Sequence, residues 1–224
     1  MNKFPAMLSL SEENYLKAIF HLERNYPGGV STNALAEEME TKASSVTDMV
    51  KKLSEKNLVE YRKYQGVKLR KLGRKTAVGV IRKHRLWEVF LVEKLDFAWD
   101  EVHEVAEQLE HIKSDKLIEQ LDRFLEFPTR DPHGDPIPDA EGHFSESNRL
   151  PLTALAVGDK GMCTGVKDSS ADFLQYLDKN GIALGQQLRV LEKESFDQSM
   201  LIALNDRELR ISHRISTNLY IKKA

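Results

Sequence analysis

Apolar residues recur at helical spacing through the first quarter of the chain. Tyr15, Ile19, Leu22 and Tyr26 form one stripe that ends at Pro27-Gly28-Gly29, and Ser9 with Glu12 supplies a capping box at its start. A short helix is predicted over 32–38 with Leu35 and Met39 turned inward. After the turn at 40–43, a third helix over 44–56 buries Val46, Met49, Val50 and Leu53. Two short helices joined by a tight turn have helix-turn-helix spacing. From Val59 the period changes to alternation, so that 59–63 and 67–71 read as a hairpin around Tyr64-Gln65-Gly66. The pattern then returns to helical until five of the seven prolines (Pro128, Pro132, Pro136, Pro138, Pro151) crowd one stretch that cannot continue a helix. Beyond it, short runs near Leu152 and Gly161 and over 187–193, 200–204 and 208–212 predict strands, with a short helix over 173–177. The fold class expected is mainly α with a C-terminal β domain, divided as 1–75, 76–127, a Pro-rich linker 128–150, and 151–224.

Composition narrows the class. The chain has 224 residues, 41% hydrophobic and 30% charged, with a formal net charge of −2, which suits a buried core rather than a fibrous or disordered chain. No run approaches the ~18 apolar residues of a membrane span, and 1–14 lacks the basic-then-apolar order of a secretion signal. The single cysteine, Cys163, excludes an internal disulfide framework and is expected in a core. These features point to a cytoplasmic protein without a membrane partner.

The near-neutral total hides a segregation of charge. Residues 42–85 carry 14 Lys/Arg against 3 Asp/Glu, whereas residues 86–147 carry 5 against 17. The first block suits an anionic polymer and the second suits metal cations. Within the basic block, Ser44, Ser45 and Thr47 lie near the start of the third helix, where short side chains reach base edges, and Lys51 and Lys52 follow. Arg62, Lys63, Lys68 and Arg70 crowd the hairpin, which is then a wing placed to lie along a DNA backbone. A helical hairpin with a merely polar face is the plain alternative for the helices alone; the basic wing tips the reading to double-stranded DNA.

In the acidic block His103, Glu107, Glu110 and His111 fall at i, i+4, i+7 and i+8, an arc of about 100° on one helix face. His84 and Glu88 form a further i, i+4 pair. Imidazole and carboxylate without thiolate suit Mn²⁺, Fe²⁺ or Zn²⁺. A solvated acidic face explains any one such pair, and their recurrence on adjacent helices favours metal.

At these residues a resemblance becomes specific. Arg82-Lys83-His84-Arg85-Leu86, Val102-His103-Glu104, Glu110-His111 and Gly134-Asp135-Pro136-Ile137-Pro138, behind a winged helix, resemble the diphtheria-toxin-repressor family of metal-dependent transcriptional regulators, in its longer form with a C-terminal SH3-like domain. The resemblance implies a DNA-binding repressor controlling metal-ion homeostasis, acting as a homodimer on a palindromic operator. The implied architecture is a winged helix-turn-helix, a helical dimerisation and metal domain, and an SH3-like (FeoA-like) barrel. It also implies one metal site from Asn14, Glu107, Glu110 and His111, and an ancillary one from His84, Glu88 and His103, with Asp172 or Asp168 of the SH3-like domain as a candidate addition. Glu107 stands where iron-type members usually have Cys, so Mn²⁺ is favoured over Fe²⁺, with Zn²⁺ a candidate in vitro. Asn14 is a weaker, neutral donor than the Met or Asp usual there. Lys17, one turn on, cannot act as a ligand while charged. Trp87, Phe90, Leu91, Leu95 and Phe97 supply apolar surface for a dimer and for part of the core.

Two other classes compete. A winged-helix regulator could bind a small-molecule effector near Trp87 in place of metal. A metallohydrolase is the other rival, since His103-Glu104-Val105-Ala106-Glu107 imitates the start of H-E-x-x-H, but its fifth position is Glu and a hydrolase also needs an open coordination position and a base.

Overall fold

The structure, a computed structural model, describes residues 8–62, 65–145, 148–205 and 207–224. It divides into two compact units, and the division falls within three helices. One comprises Met1–His84, Glu107–Asp115 and Pro138–His143; the other comprises Arg85–Ala106, Lys116–Ile137 and Phe144–Ala224.

The first unit opens with α1 (Leu10–Leu22), α2 (Thr32–Glu38) and α3 (Ala43–Glu55). The Ser9–Glu12 capping box is present, and Ser31 caps α2 through the Ala34 amide. Leu16, Ile19, Leu35, Val46, Val50 and Leu53 are fully buried and pack the three helices together. Met39 and Met49 are only half-buried, and Tyr26 lies beyond α1 and is exposed, because the helix stops at Leu22, earlier than its stripe predicts. Strands β1 (Val59–Arg62) and β2 (Gly66–Leu69) pair antiparallel, Val59 opposite Leu69 and Arg62 opposite Gly66. The second strand is shorter than expected: Arg70 donates its amide to the Leu58 carbonyl and Lys71 already begins α4 (Lys71–Leu95). At Gly66, with φ of +89°, a Cβ would lie 2.7 Å from the Val30 carbonyl oxygen, so the wing closes only on glycine.

The remaining helices are α5 (Val102–Leu109) and α6 (Asp115–Phe124). In the second unit, residues 128–137 form a turn closed by the Arg130–Pro136 bridge, with Asp131, His133 and Ile137 buried. The C-terminal sheet comprises β3 (Leu150–Pro151), β4 (Lys160–Val166), β5 (Gln187–Lys193), β6 (Met200–Leu204), β7 (Arg207–Ile211) and β8 (Leu219–Lys223), antiparallel in the order β3-β8-β4-β5-β6-β7. Leu152, expected in a strand, instead starts a 3₁₀ turn (Leu152–Ala154) behind Pro151. The strand β8 and the short α8 (His213–Thr217) have no counterpart in the sequence reading. Helix α7 (Ala171–Lys179) adds Phe173, Leu174 and Leu177 to the core of this sheet. Cys163 sits in that core, and burial pushes its thiol up to about 11.

Candidate metal centre and nucleic-acid interface

The residues expected to face DNA lie in the first unit. Ser44, Ser45 and Asp48 are exposed on the first turns of α3, and the half-buried Thr47 donates its hydroxyl to the Ala43 carbonyl at 2.8 Å. Lys51 is exposed beside Asp48. Lys52 also pairs backwards, 3.2 Å from the Glu12 carboxylate of α1, where Lys56 approaches to 2.5 Å. Burial opposes the Glu12 charge, but hydrogen bonds from Lys56, the Ser9 amide and Lys52 outweigh it and lower its pKa to about 2. Lys52 is thus partly a brace between helices. On the wing Arg62, Lys68 and Arg70 are exposed; Arg62 lies 2.7 Å from Glu60, and Arg70 donates to Asn57. Lys63 falls outside the described residues.

Also in the first unit, α1 meets the end of α5. Lys17 Nζ lies 3.2 Å from Glu107 Oε1 and 2.7 and 2.8 Å from the two oxygens of Glu110. His84 Nδ1 reaches the same Glu110 carboxylate at 2.6 Å. Burial works against the Glu110 charge, and the His84 hydrogen bond and the Lys17 ammonium overcome it and hold its pKa down. His111 Nδ1 pairs at 2.6 Å with Glu13, an acid the sequence reading missed because acids in a first turn normally serve the helix dipole. The Asn14 side-chain oxygen is buried with no hydrogen-bond partner. The donors implied by resemblance are therefore gathered here, but a lysine ammonium already stands between the two carboxylates. As they stand, these residues do not fit a resident ion.

The second unit presents a set that does. Glu88 on α4, with Asp131 and His133 of the proline-rich turn, are all buried and offer ligand atoms within 4.8 Å of one another. His103 on α5 adds Nδ1 at 3.6 Å from Glu88, the same separation as His133 Nδ1. His133 Nε2 lies 2.7 Å from the Trp99 carbonyl oxygen, which can only accept. A ring proton therefore sits on Nε2, and Nδ1, which faces Glu88 and is favoured as a protonated donor in the metal-free chain, is the nitrogen whose lone pair a metal would take once that proton leaves, the arrangement by which outer hydrogen bonds orient metal-binding imidazoles. Asp131 accepts amide hydrogen bonds from His133 and Asp135 and faces Arg85 at 3.3 Å. Burial and the Glu88 charge push its pKa up to about 7 despite Arg85. Burial is the larger cause and the neighbouring Glu88 charge adds to it, and a divalent ion held by both carboxylates would offset both effects.

Asp172 does not join this set. It is exposed in the first turn of α7 and belongs to no group of three converging ligands among the described residues, and Asp168 instead accepts the Ser170 amide. Within this unit α7 touches the loop behind His133 through other residues: Trp99 donates to Asp178 at 2.9 Å, Gln175 donates to Asp100 at 2.8 Å, and the Trp99 ring stacks on His133. Asp131 and His133 escaped the sequence reading because prolines on both sides marked them as linker. The signal available was the run Asp131-Pro132-His133-Gly134-Asp135 itself, two acids and an imidazole in a tight turn.

Two expectations follow. Gly134, with φ of +85°, would place a Cβ 2.1 Å from the Thr164 carbonyl oxygen, so Gly134→Ala must shift the turn that carries Asp131 and His133. Its Mn²⁺ affinity, read by calorimetry, should fall about tenfold or more, in line with the loss of outer support around a metal ligand. The pH dependence has opposite signs with and without metal. Because the folded pKa of Asp131 is raised, the metal-free chain loses stability as pH climbs from ~4 to ~7, the interval between the unfolded and folded values. The pKa of His133 is also raised: burial opposes its charge, but Glu88 and Asp131 outweigh it, so its contribution likewise fades as pH rises through that pKa. Mn²⁺ must displace these protons, so its affinity should increase from pH 6 to pH 8 (~100-fold change in proton activity) while the metal-free melting temperature does not rise.

A helix-turn-helix with a basic wing, a helical segment with buried carboxylates and imidazoles, and a small antiparallel β domain together define a metal-responsive DNA-binding protein. Family models match accordingly: the N-terminal DNA binding domain of iron dependent repressors over residues 7–67, their metal binding and dimerisation domain over 70–139, and the FeoA domain over 150–223. The chain is 32% identical over 154 residues to the iron-dependent repressor IdeR of Mycobacterium tuberculosis (strain ATCC 25618 / H37Rv), covering 65% of this chain and 66% of that one, just under two thirds of its length. Among solved structures, a manganese-dependent transcriptional repressor in complex with manganese superposes with a TM-score of 0.86 at 35% identity, over 95% of this chain and all of that one. The manganese regulator SloR does so with a TM-score of 0.76 at 34% identity, over 95% of this chain and 98% of that one. The chain belongs to the iron-dependent repressor family, whose members are transcriptional repressors and not enzymes.

Proposed function

We propose that this chain is a cytoplasmic, metal-dependent transcriptional repressor, with Mn²⁺ the favoured ion and Fe²⁺ the next, that binds a palindromic operator as a homodimer. The observation that carries the metal reading is the buried group Glu88, Asp131 and His133, an oxygen-rich set with one oriented imidazole and no thiolate, which suits a harder divalent ion. Glu88, Asp131 and His133 would hold the ion, with His103 beside Glu88, and the ion would supply positive charge to two buried carboxylates. No helix among the described residues is long and apolar enough to cross a membrane.

The dimer reading draws on the apolar groove of Trp87, Phe90, Leu117, Leu121 and Phe124, whose Leu117 and Phe124 are exposed. Of the apolar residues expected there, Leu91 is buried as core, whereas Leu95 is exposed. Metal can act on DNA binding only through different affinities for the competent and idle arrangements. Operator binding by the chelator-treated chain, titrated in turn with Mn²⁺, Fe²⁺ and Zn²⁺, tests this. Restoration by Mn²⁺ or Fe²⁺ is expected; binding indifferent to chelation and to all three ions would exclude the metal and favour an effector-responsive regulator.

A further inference from the structure

We propose that Lys17 is the resident cation of the cluster between α1 and the end of α5: its ammonium joins Glu107 and Glu110 in the metal-free chain and competes with Mn²⁺ for the same oxygens. A lysine ammonium has three donors, and three carboxylate oxygens lie around this one, Glu107 Oε1 at 3.2 Å and both oxygens of Glu110 at 2.7 and 2.8 Å. Glu110 is fully buried, so its charge needs compensation from the protein itself, and Lys17 and His84 supply it. A divalent ion and an ammonium cannot both hold these oxygens at contact distance, since like charges in a partly desolvated site repel strongly. Lys83 is half-buried nearby, and burial, opposed by Glu13 and Glu110, lowers its pKa, so Lys17 is the ammonium that meets these acids directly. Asn14, neutral and with its buried oxygen unpartnered, adds a donor without adding charge. Lys17 therefore does without metal what the resemblance gives to an ion, fastening the first helix to the acidic helix.

The proposal rests on the metal-regulated reading for its consequence, but its test is independent of DNA. The full-length chain, stripped with chelator, is titrated with Mn²⁺ by calorimetry beside Lys17→Met and Lys17→Met/Glu107→Gln, and all three are melted with and without Mn²⁺. In Lys17→Met, a Glu107-dependent binding event should be tighter by about tenfold or more than in the natural chain, or be newly present. Its metal-free melting temperature should be lower, and Mn²⁺ should restore it. Lys17→Gln, which keeps a hydrogen-bond donor, should show the same tightening. Unchanged or weaker Mn²⁺ binding in the folded variants, or an unchanged metal-free melting temperature, would overturn the proposal. Variants that fold only with Mn²⁺ would support it, and variants that fold under neither condition would overturn it by showing that an ion cannot replace the ammonium. If the functional reading alone fails, the natural chain's operator binding ignores Mn²⁺ while this tightening remains.

Discussion

Glu88→Gln should remove most of the response of operator binding to Mn²⁺, with the Mn²⁺ affinity of the chain falling about a hundredfold or more, as the loss of a charged ligand exceeds the cost of losing an outer hydrogen bond. Glutamine keeps the volume and one carbonyl oxygen of the buried side chain, so packing is retained. The Glu88 charge helps to hold Asp131 above its ordinary range, so removing it lets Asp131 ionise more easily and relieves repulsion in the metal-free pocket. The variant also loses the pairing of Glu88 with His133, so the two effects oppose each other and the metal-free variant should melt close to the natural chain, a result that separates loss of metal from loss of fold. Calorimetry with Mn²⁺, circular dichroism melts and operator binding on the same preparations read all three. Full Mn²⁺ activation in a folded Glu88→Gln chain would place the responsive ion elsewhere.

Replacing Arg62, Lys68 and Arg70 together by alanine should weaken binding to every DNA sequence by about 10² to 10³ at 0.1–0.2 M salt, because each phosphate that the wing no longer neutralises keeps its counterions. The slope of log affinity against log salt should flatten by about 0.9 for each such phosphate. All three side chains are exposed on or beside the wing, and their removal leaves the buried Val59 and Val67 untouched. Ser44→Ala and Ser45→Ala should behave differently, altering preference among operators while leaving the salt slope unchanged. Filter-binding or anisotropy titrations at several salt concentrations distinguish the two patterns. A wing variant with undiminished affinity would mean that this hairpin does not approach DNA.

The winged helix was legible in the sequence because each of its elements is specified locally. Caps, a period of three to four, alternation and a turn glycine mark α1, α2, α3 and the wing within a few residues of each other in the chain. The C-terminal sheet was legible only in part. Strand β8 lies between β3 and β4 although it is last in the chain, and its five residues acquire strand character from those two neighbours rather than from their own pattern. The metal set was split in the same way. Glu88 and His103 stood out through helical spacing, but Asp131 and His133 lie on an irregular turn, where no period gathers ligands and where prolines signal a linker. Asp172 was attractive as a helix-start acid, yet it is Gln175 and Asp178, about one and two turns further along α7, that touch the loop behind His133. Lys17 was set aside as a ligand because of its charge, and that same charge is what places it between Glu107 and Glu110.

Diffraction from crystals of the full-length chain grown with Mn²⁺, with anomalous differences collected at the manganese edge, tests the central claim most directly. A peak coordinated by Glu88, Asp131 and His133 is the expected result. A chain that holds manganese with no peak at these three residues would contradict it.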